Sequence, residues 1–360
     1  MNAERFAHHM SDADALMWNI EKDPILRSTI VALGVLDREP DFERLRRRLT
    51  RASITIPRLR QRVQSPPLRI GPPRWSREAN FDLDFHLRRV RLAAPGDHRR
   101  LLELVAPIAQ SSFDRARPLW EFTIVEGLTG GRAAAVLKVH HSVTDGIGGI
   151  DLLSQMVDTE RDAEELAPLP EPSAPEPFDA AALLRDSVSH TTRRWLGISR
   201  RIPATLVGAA LAGARDPLRA AADAVDTARS IGRMLAPATA PLSPVLLTRG
   251  LGRRLDTFAV PLDDLKRAAK AVDGSLNDAF VAAVVGGLSR YHARHGVAVS
   301  ELRMTLPINL RTTEHGSAGN QFAPVRFPVP AAISDPAARM KAIGVLVRGW
   351  RAEPALGLTS

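Results

Sequence analysis

The first strong hydrophobic signal along the chain is Ser28–Leu36 (STIVALGVL), a continuous β-rich run that predicts a strand. Just before it, Ser11-Asp12-Ala13-Asp14 offers a helix N-cap with an acid three residues on, leading into Ala15-Leu16-Met17-Trp18. Just after it, Asp41 caps a helix expected to reach Ala52. Arg58–Arg77 is dotted with prolines and reads as irregular, whereas Phe81–Leu87 alternates apolar and polar residues as a half-buried strand does. Asp97 caps a further helix through Gln110. Two strands follow, Trp120–Val125 and Arg132–His140, with a glycine-rich turn between them and a helix at Ile150–Asp158 beyond.

Ala167–Pro177 (APLPEPSAPEP) can continue neither a helix nor a central strand and marks a linker. Ala180–Leu235 has helical spacing and few strand formers, and a second break at Ala236–Leu247 holds three prolines. Beyond it the pattern predicts a strand at Asp256–Val260, a helix from Pro261 and a long apolar helix over Asn277–His292. Strands at Leu302–Leu306 and Phe322–Val329 and a last helix over Pro336–Trp350 complete it. The order is α+β in two halves: an N-terminal lobe over 1–166, a proline-bounded helical linker over 167–247, and a C-terminal lobe over 248–360.

Composition narrows the chemistry. There is no cysteine, which removes disulfides, thiolate nucleophiles and Cys-ligated zinc. The first residues lack a basic start followed by an apolar run, and the most apolar stretch, Pro203–Ala214, falls well short of the ~20 residues a bilayer span needs. A cytoplasmic protein is therefore expected. The net charge of +9 is carried almost wholly by dispersed arginine, with one tyrosine and few aromatics, so stacking on nucleic acid is not expected. Anionic lipid or the phosphates of a co-substrate suit such a surface better.

The candidate chemistry is His140-His141-Ser142-Val143-Thr144-Asp145-Gly146, at the end of a predicted strand and before a helix. Side chains on a strand alternate faces, so His141 would extend the apolar face of Ala133, Ala135, Leu137 and Val139, and His140 the face of Ala134, Val136 and Lys138. A histidine extending a buried face is partly desolvated, which favours the neutral ring that a general base requires. Asp145 can orient the loop or an imidazole across a turn that Gly146, Gly148 and Gly149 make easy. Metal binding is not expected, because adjacent strand residues point to opposite faces while metal ligands converge. No Gly-x-Ser-x-Gly elbow occurs.

This segment resembles the HHxxxDG motif of the CoA-dependent acyltransferase superfamily, which includes chloramphenicol acetyltransferase-like enzymes and nonribosomal peptide condensation domains. Pro118-Leu119-Trp120 and Asn277-Asp278 resemble the PLW and ND segments of the bacterial wax ester synthase/diacylglycerol acyltransferase family. Ser11–Trp18, Arg69–Leu87 and Pro307–Arg311 are similar to it in style and order, so the resemblance covers nearly the whole chain.

The resemblance implies a two-lobed, chloramphenicol acetyltransferase-like fold of mixed sheets with flanking helices, the second lobe incomplete because family members run on through further strands. It implies an O-acyltransferase in triacylglycerol or wax ester synthesis that takes acyl-CoA as co-substrate, needs no cofactor or metal, and esterifies diacylglycerol or a fatty alcohol. His141 would be the base, His140 and Asp145 its supports, Gly146 the turn residue, and Arg311 the partner of Asp145. Asn277 and Asp278 would brace the site, and Pro118, Leu119 and Trp120 would line a substrate tunnel. Peripheral contact with an anionic inner membrane face or a lipid droplet, and no nucleic acid, is the partner set implied. The alternatives are a catalytically inactive acyl-CoA- or lipid-binding relative and a condensation-like enzyme that uses a carrier-protein thioester.

Overall fold

The computed structural model describes residues 8–66, 71–144, 146–161, 163–171, 174, 179–194, 196, 243–247, 250–309 and 322–353. These fall into two compact units. The described residues up to Leu196 together with Gly250–Asp256 form the first, and the remainder form the second.

The first unit is built on a sheet ordered β1 (Thr29–Leu36), β6 (Arg132–His140), β5 (Trp120–Leu128) and β4 (Leu87–Arg91). β6 runs antiparallel to both neighbours, and β4 joins β5 in parallel. Every residue of β6 after Arg132 is buried. Its small Ala133-Ala134-Ala135 run lets helices approach from both sides. Ala133, Ala135, Leu137 and Val139 pack with α2 (Phe42–Thr55) and α5 (Gly146–Met156), while Ala134 and Val136 pack with α4 (His98–Gln110). The side of the strand that carries Lys138 is thus a second core layer and not a polar face.

Local chemistry starts the helices where the sequence predicts. Ser11 Oγ accepts from Asp14 N at the head of α1 (Asp12–Ile20), Asp41 accepts from Glu43 N and Arg44 N, and Asp97 accepts from Arg100 N. Each such cap is worth ~1 kcal/mol. α2 runs to Thr55 and stops at Ile56, whose successor Pro57 disfavours further helix.

Three expectations are corrected. Within the stretch expected to be irregular, β2 (Gln61–Gln64) and β3 (Arg74–Arg77) form an antiparallel pair. Phe81–Leu87 is not a strand: Asp82 accepts from Asp84 N and nucleates the short helix α3 (Leu83–His86), with β4 starting only at Leu87. A local cap here overrides the alternating pattern. Asp256–Val260 forms no strand, since no described strand pairs with it, and Phe258 is 90% exposed.

Helix α6, residues 180–194, lies within the segment that the sequence places in the linker and packs in the first unit. Its Leu183 and Ser187 are buried. Asp186 Oδ2 lies 3.1 Å from His9 Nε2 and 3.4 Å from Arg74 Nη1, and Arg194 pairs with Asp12 at the start of α1.

In the second unit the antiparallel pair β7 (Glu301–Asn309) and β8 (Phe322–Pro330) packs with α7 (Leu262–Lys270), α8 (Leu276–Arg294) and α9 (Pro336–Arg351). Val285, Phe327, Val329, Ile343 and Val347 form its core.

Candidate functional site

β6 ends at His140, a turn follows, and α5 begins at Gly146. Backbone bonds anchor the motif on both sides: His140 N donates to Leu119 O at 3.0 Å, and His141 N donates to Ser28 O at 2.7 Å. Val143 N closes the turn on His140 O. Because the strand stops at His140, its alternation does not extend to His141. His141 is the first turn residue and half-buried, whereas His140 is wholly buried.

Both nitrogens of the His140 ring face protein groups. Nδ1 accepts from Ser142 N at 3.0 Å and lies 2.6 Å from Ser142 Oγ. A backbone N–H can only donate, so Nδ1 is an acceptor and the neutral ring carries its proton on Nε2. Nε2 faces Glu21 Oε1 at 3.0 Å on an oblique approach. Trp18 and Phe113 pack edge-on against the ring, at 5.9 and 6.2 Å between centroids. Burial raises the Glu21 carboxyl, but His140, the Ser28 amide and Arg115 together outweigh it and hold the group below the usual glutamate range. Arg115 in turn lies 3.4 Å over the Trp18 ring and donates to Trp18 O.

Two residues up the strand, Lys138 is also wholly buried. Its Nζ donates to Ser111 Oγ at 2.8 Å and sits 4.2 Å from the centre of the Phe113 ring that packs on His140. Glu121 Oε2, itself paired with Arg88, lies 3.6 Å away. Burial pushes the Lys138 ammonium below the usual lysine range, and Glu121 offsets part of that.

Of the other expected site residues, Asp145 and Arg311 lie outside the described residues, so their pairing is not observed. Gly146 is the first residue of α5. Asn277 and Asp278 are in the second unit, where Asp278 and Ser275 form a reciprocal capping box at the head of α8. Asn277 Nδ2 is buried without a hydrogen-bond partner among the described residues. Pro118, Leu119 and Trp120 are all buried. Trp120 is a core residue here: its Nε1 donates to Leu59 O at 2.8 Å, and its ring stacks on His86 at 4.6 Å.

No motif singles out Glu21 or Lys138, while Phe113 heads the segment Phe113–Glu121 that resembles the PLW motif. A topological signal existed nonetheless: antiparallel pairing of β1 with β6 sets Thr29 opposite His140 and so brings the residues before β1 beside the motif. Among the described residues no group of three or more His, Asp or Glu side chains is arranged to hold a metal ion. A cavity of about 800 Å³ opens between the end of β1, α2 and α5, but neither motif histidine lines it. No described helix is long and apolar enough to cross a membrane.

Comparison with known proteins identifies the setting of this geometry. The wax ester synthase/diacylglycerol acyltransferase catalytic domain matches residues 10–280. A Mycobacterium tuberculosis H37Rv protein named, by inference, a diacylglycerol O-acyltransferase is 40% identical over 354 residues, covering 98% of this chain and 72% of its own. A second from the same strain, similarly named, is 32% identical over 291 residues, covering 80% of this chain and 55% of its own.

Among solved structures, the wax ester synthase/diacylglycerol acyltransferase from Marinobacter aquaeolei superposes with a TM-score of 0.60 at 18% identity, covering 98% of this chain and 74% of that one. The first condensation domain of the calcium-dependent antibiotic synthetase superposes at 0.63 and 15% identity, covering 97% and 76%. At these identities the likeness establishes the fold: the α+β architecture shared by acyltransferases and condensation domains.

Proposed function

Because the chain belongs to the wax ester synthase/diacylglycerol acyltransferase family and is an acyltransferase, we propose a specific reaction for it: transfer of a long-chain acyl group from acyl-CoA to the hydroxyl of diacylglycerol or a fatty alcohol, with His141 as general base. A neutral His141 ring takes the acceptor's proton as the oxygen attacks the thioester carbonyl. The tetrahedral intermediate then collapses, the carbon–sulfur bond breaks, and the imidazolium returns the proton to the departing thiolate. Ester and free CoA are the products, with no acyl-enzyme and no resident cofactor. A positioned base of this kind contributes ~10²–10⁴-fold in rate.

The observation that carries the assignment is the unequal standing of the two histidines. His140 is wholly buried with both ring nitrogens turned toward Ser142 and Glu21. Reaching a substrate would require it to abandon both. His141, half-buried at the head of the turn, is the less buried of the two and the one proposed to meet the acceptor hydroxyl. Asp145, Arg311, Asn277 and Asp278 are proposed, on the family resemblance alone, as structural supports of this reaction.

The test is the purified chain with a labelled palmitoyl-type CoA and a panel of diacylglycerol and fatty alcohols. Labelled ester with stoichiometric CoA release is expected. Acyl-CoA binding without turnover on any acceptor contradicts the proposal. We further propose peripheral attachment to an anionic lipid surface, driven by the +9 net charge. Flotation with anionic liposomes should weaken as salt rises, and salt-insensitive flotation or none overturns it.

A further inference from the structure

Glu21 stands where two local rules disfavour a carboxylate. It is the C-cap residue of α1, at the negative end of the helix dipole, where an acid costs roughly 0.3–1 kcal/mol. Its side chain is also only 11% exposed, and burial raises the cost of its charge. The rules local to α1 therefore do not account for a carboxylate here, and its contacts outside the helix must be considered.

Glu21 Oε1 accepts from Ser28 N at 2.9 Å and lies 3.0 Å from His140 Nε2. The same residue, Ser28, uses its carbonyl to accept from His141 N at 2.7 Å. One carboxylate oxygen therefore accepts from the backbone residue that anchors His141 and faces, off hydrogen-bond alignment, the ring immediately before it. Ser142 holds the far side of the His140 ring, so the turn is fixed from both flanks.

We infer that Glu21 is a positioning residue for the acyl transfer proposed above: through His140 and Ser28 it sets the placement of the His141 imidazole without touching substrate. The inference rests on His141 being the base. Glu21 is not itself a proton carrier in this scheme. Misplacing a catalytic group by about 1 Å costs on the order of 10²-fold, so the effect belongs in kcat.

The experiment is a double-mutant cycle on the full chain with Glu21→Ala, His141→Ala and the pair, beside Glu21→Gln, each with kcat, KM for acyl-CoA and Tm. Glu21→Gln keeps the volume and the acceptor for Ser28 N, so it is expected to fold as the native chain does. Glu21→Ala should lower kcat by about 10²-fold and leave KM unchanged, with Glu21→Gln retaining part of the rate. Added to His141→Ala, Glu21→Ala should cost nothing more, since there is no base left to position. Losses that multiply in the double variant overturn the inference, as does a Glu21→Ala variant with native kcat. If His141→Ala alone retains full rate, it is the base assignment that fails. Selective ¹⁵N labelling of the histidine rings gives a readout independent of activity: His140 should show the Nε2–H tautomer, and Glu21→Ala should shift its Nε2 resonance. An unchanged resonance contradicts the contact.

Discussion

Lys138 Nζ and Glu121 Oε2 face each other at 3.6 Å, the lysine with none of its side chain in contact with solvent. Removing two charges from water is expensive, and a pair at this separation recovers only part of the cost. Replacing the lysine by an apolar residue of similar length should therefore be tolerated, because Glu121 still has Arg88. Lys138→Met is expected to unfold at the native temperature or above it. Glu121→Ala, which leaves the ammonium buried without its counter-charge, should lose about 3 kcal/mol in urea unfolding.

The same lysine sets a pH dependence. Burial lowers its proton affinity in the fold, so below the folded pKa the unfolded chain is the better proton acceptor at this site and the full cost is present. As pH rises from that lowered value toward the free-lysine value of about 10.4, the cost is relieved and the native state gains relative stability. Thermal melts across this alkaline range should show that gain in the native chain and not in Lys138→Met. Parallel curves for the two would contradict it.

Trp120→Phe removes the donor to Leu59 O and leaves a buried carbonyl without its partner. A loss of about 1–3 kcal/mol is expected by chemical denaturation. Because the ring is sealed in the core and stacked on His86, the variant should keep the native preference among acyl-CoA chain lengths. A shifted chain-length preference at native stability would instead return Trp120 to the tunnel wall that the family resemblance implies.

Gly286 lies in the middle of α8, where alanine would ordinarily add up to ~1 kcal/mol. Here an added Cβ would come within 2.4 Å of Arg339 Nη2. That guanidinium is not free to yield: Nε donates to Ala282 O at 2.9 Å and Nη1 to Ile333 O at 2.7 Å. Overpacking of this kind costs about 1–3 kcal/mol, so Gly286→Ala should lower the melting temperature. In an Arg339→Met background the sign should reverse, and a loss of equal size in both backgrounds would show that the clash is not the cause.

What the sequence made legible is what local chemistry decides. Ser11, Asp41 and Asp97 cap their helices because each finds its backbone donors within three residues. The β5–β6 strands and the turn that carries the histidines were legible for the same reason. Phe81–Leu87 was misread because one aspartate, Asp82, outweighs an alternating pattern, and Asp256–Val260 because a strand needs a neighbour that sequence cannot supply. Glu21 could not be found locally: it meets His140 only because β1 pairs with β6. The pairing of Asp145 with Arg311 stays an expectation, as both lie outside the described residues.

The most direct measurement is the initial rate of ester formation by His141→Ala beside the native chain, with melting temperature recorded for both. A rate lower by ~10²–10⁴-fold at an unchanged melting temperature is the predicted result. Native-like turnover in that variant would contradict His141 as the base.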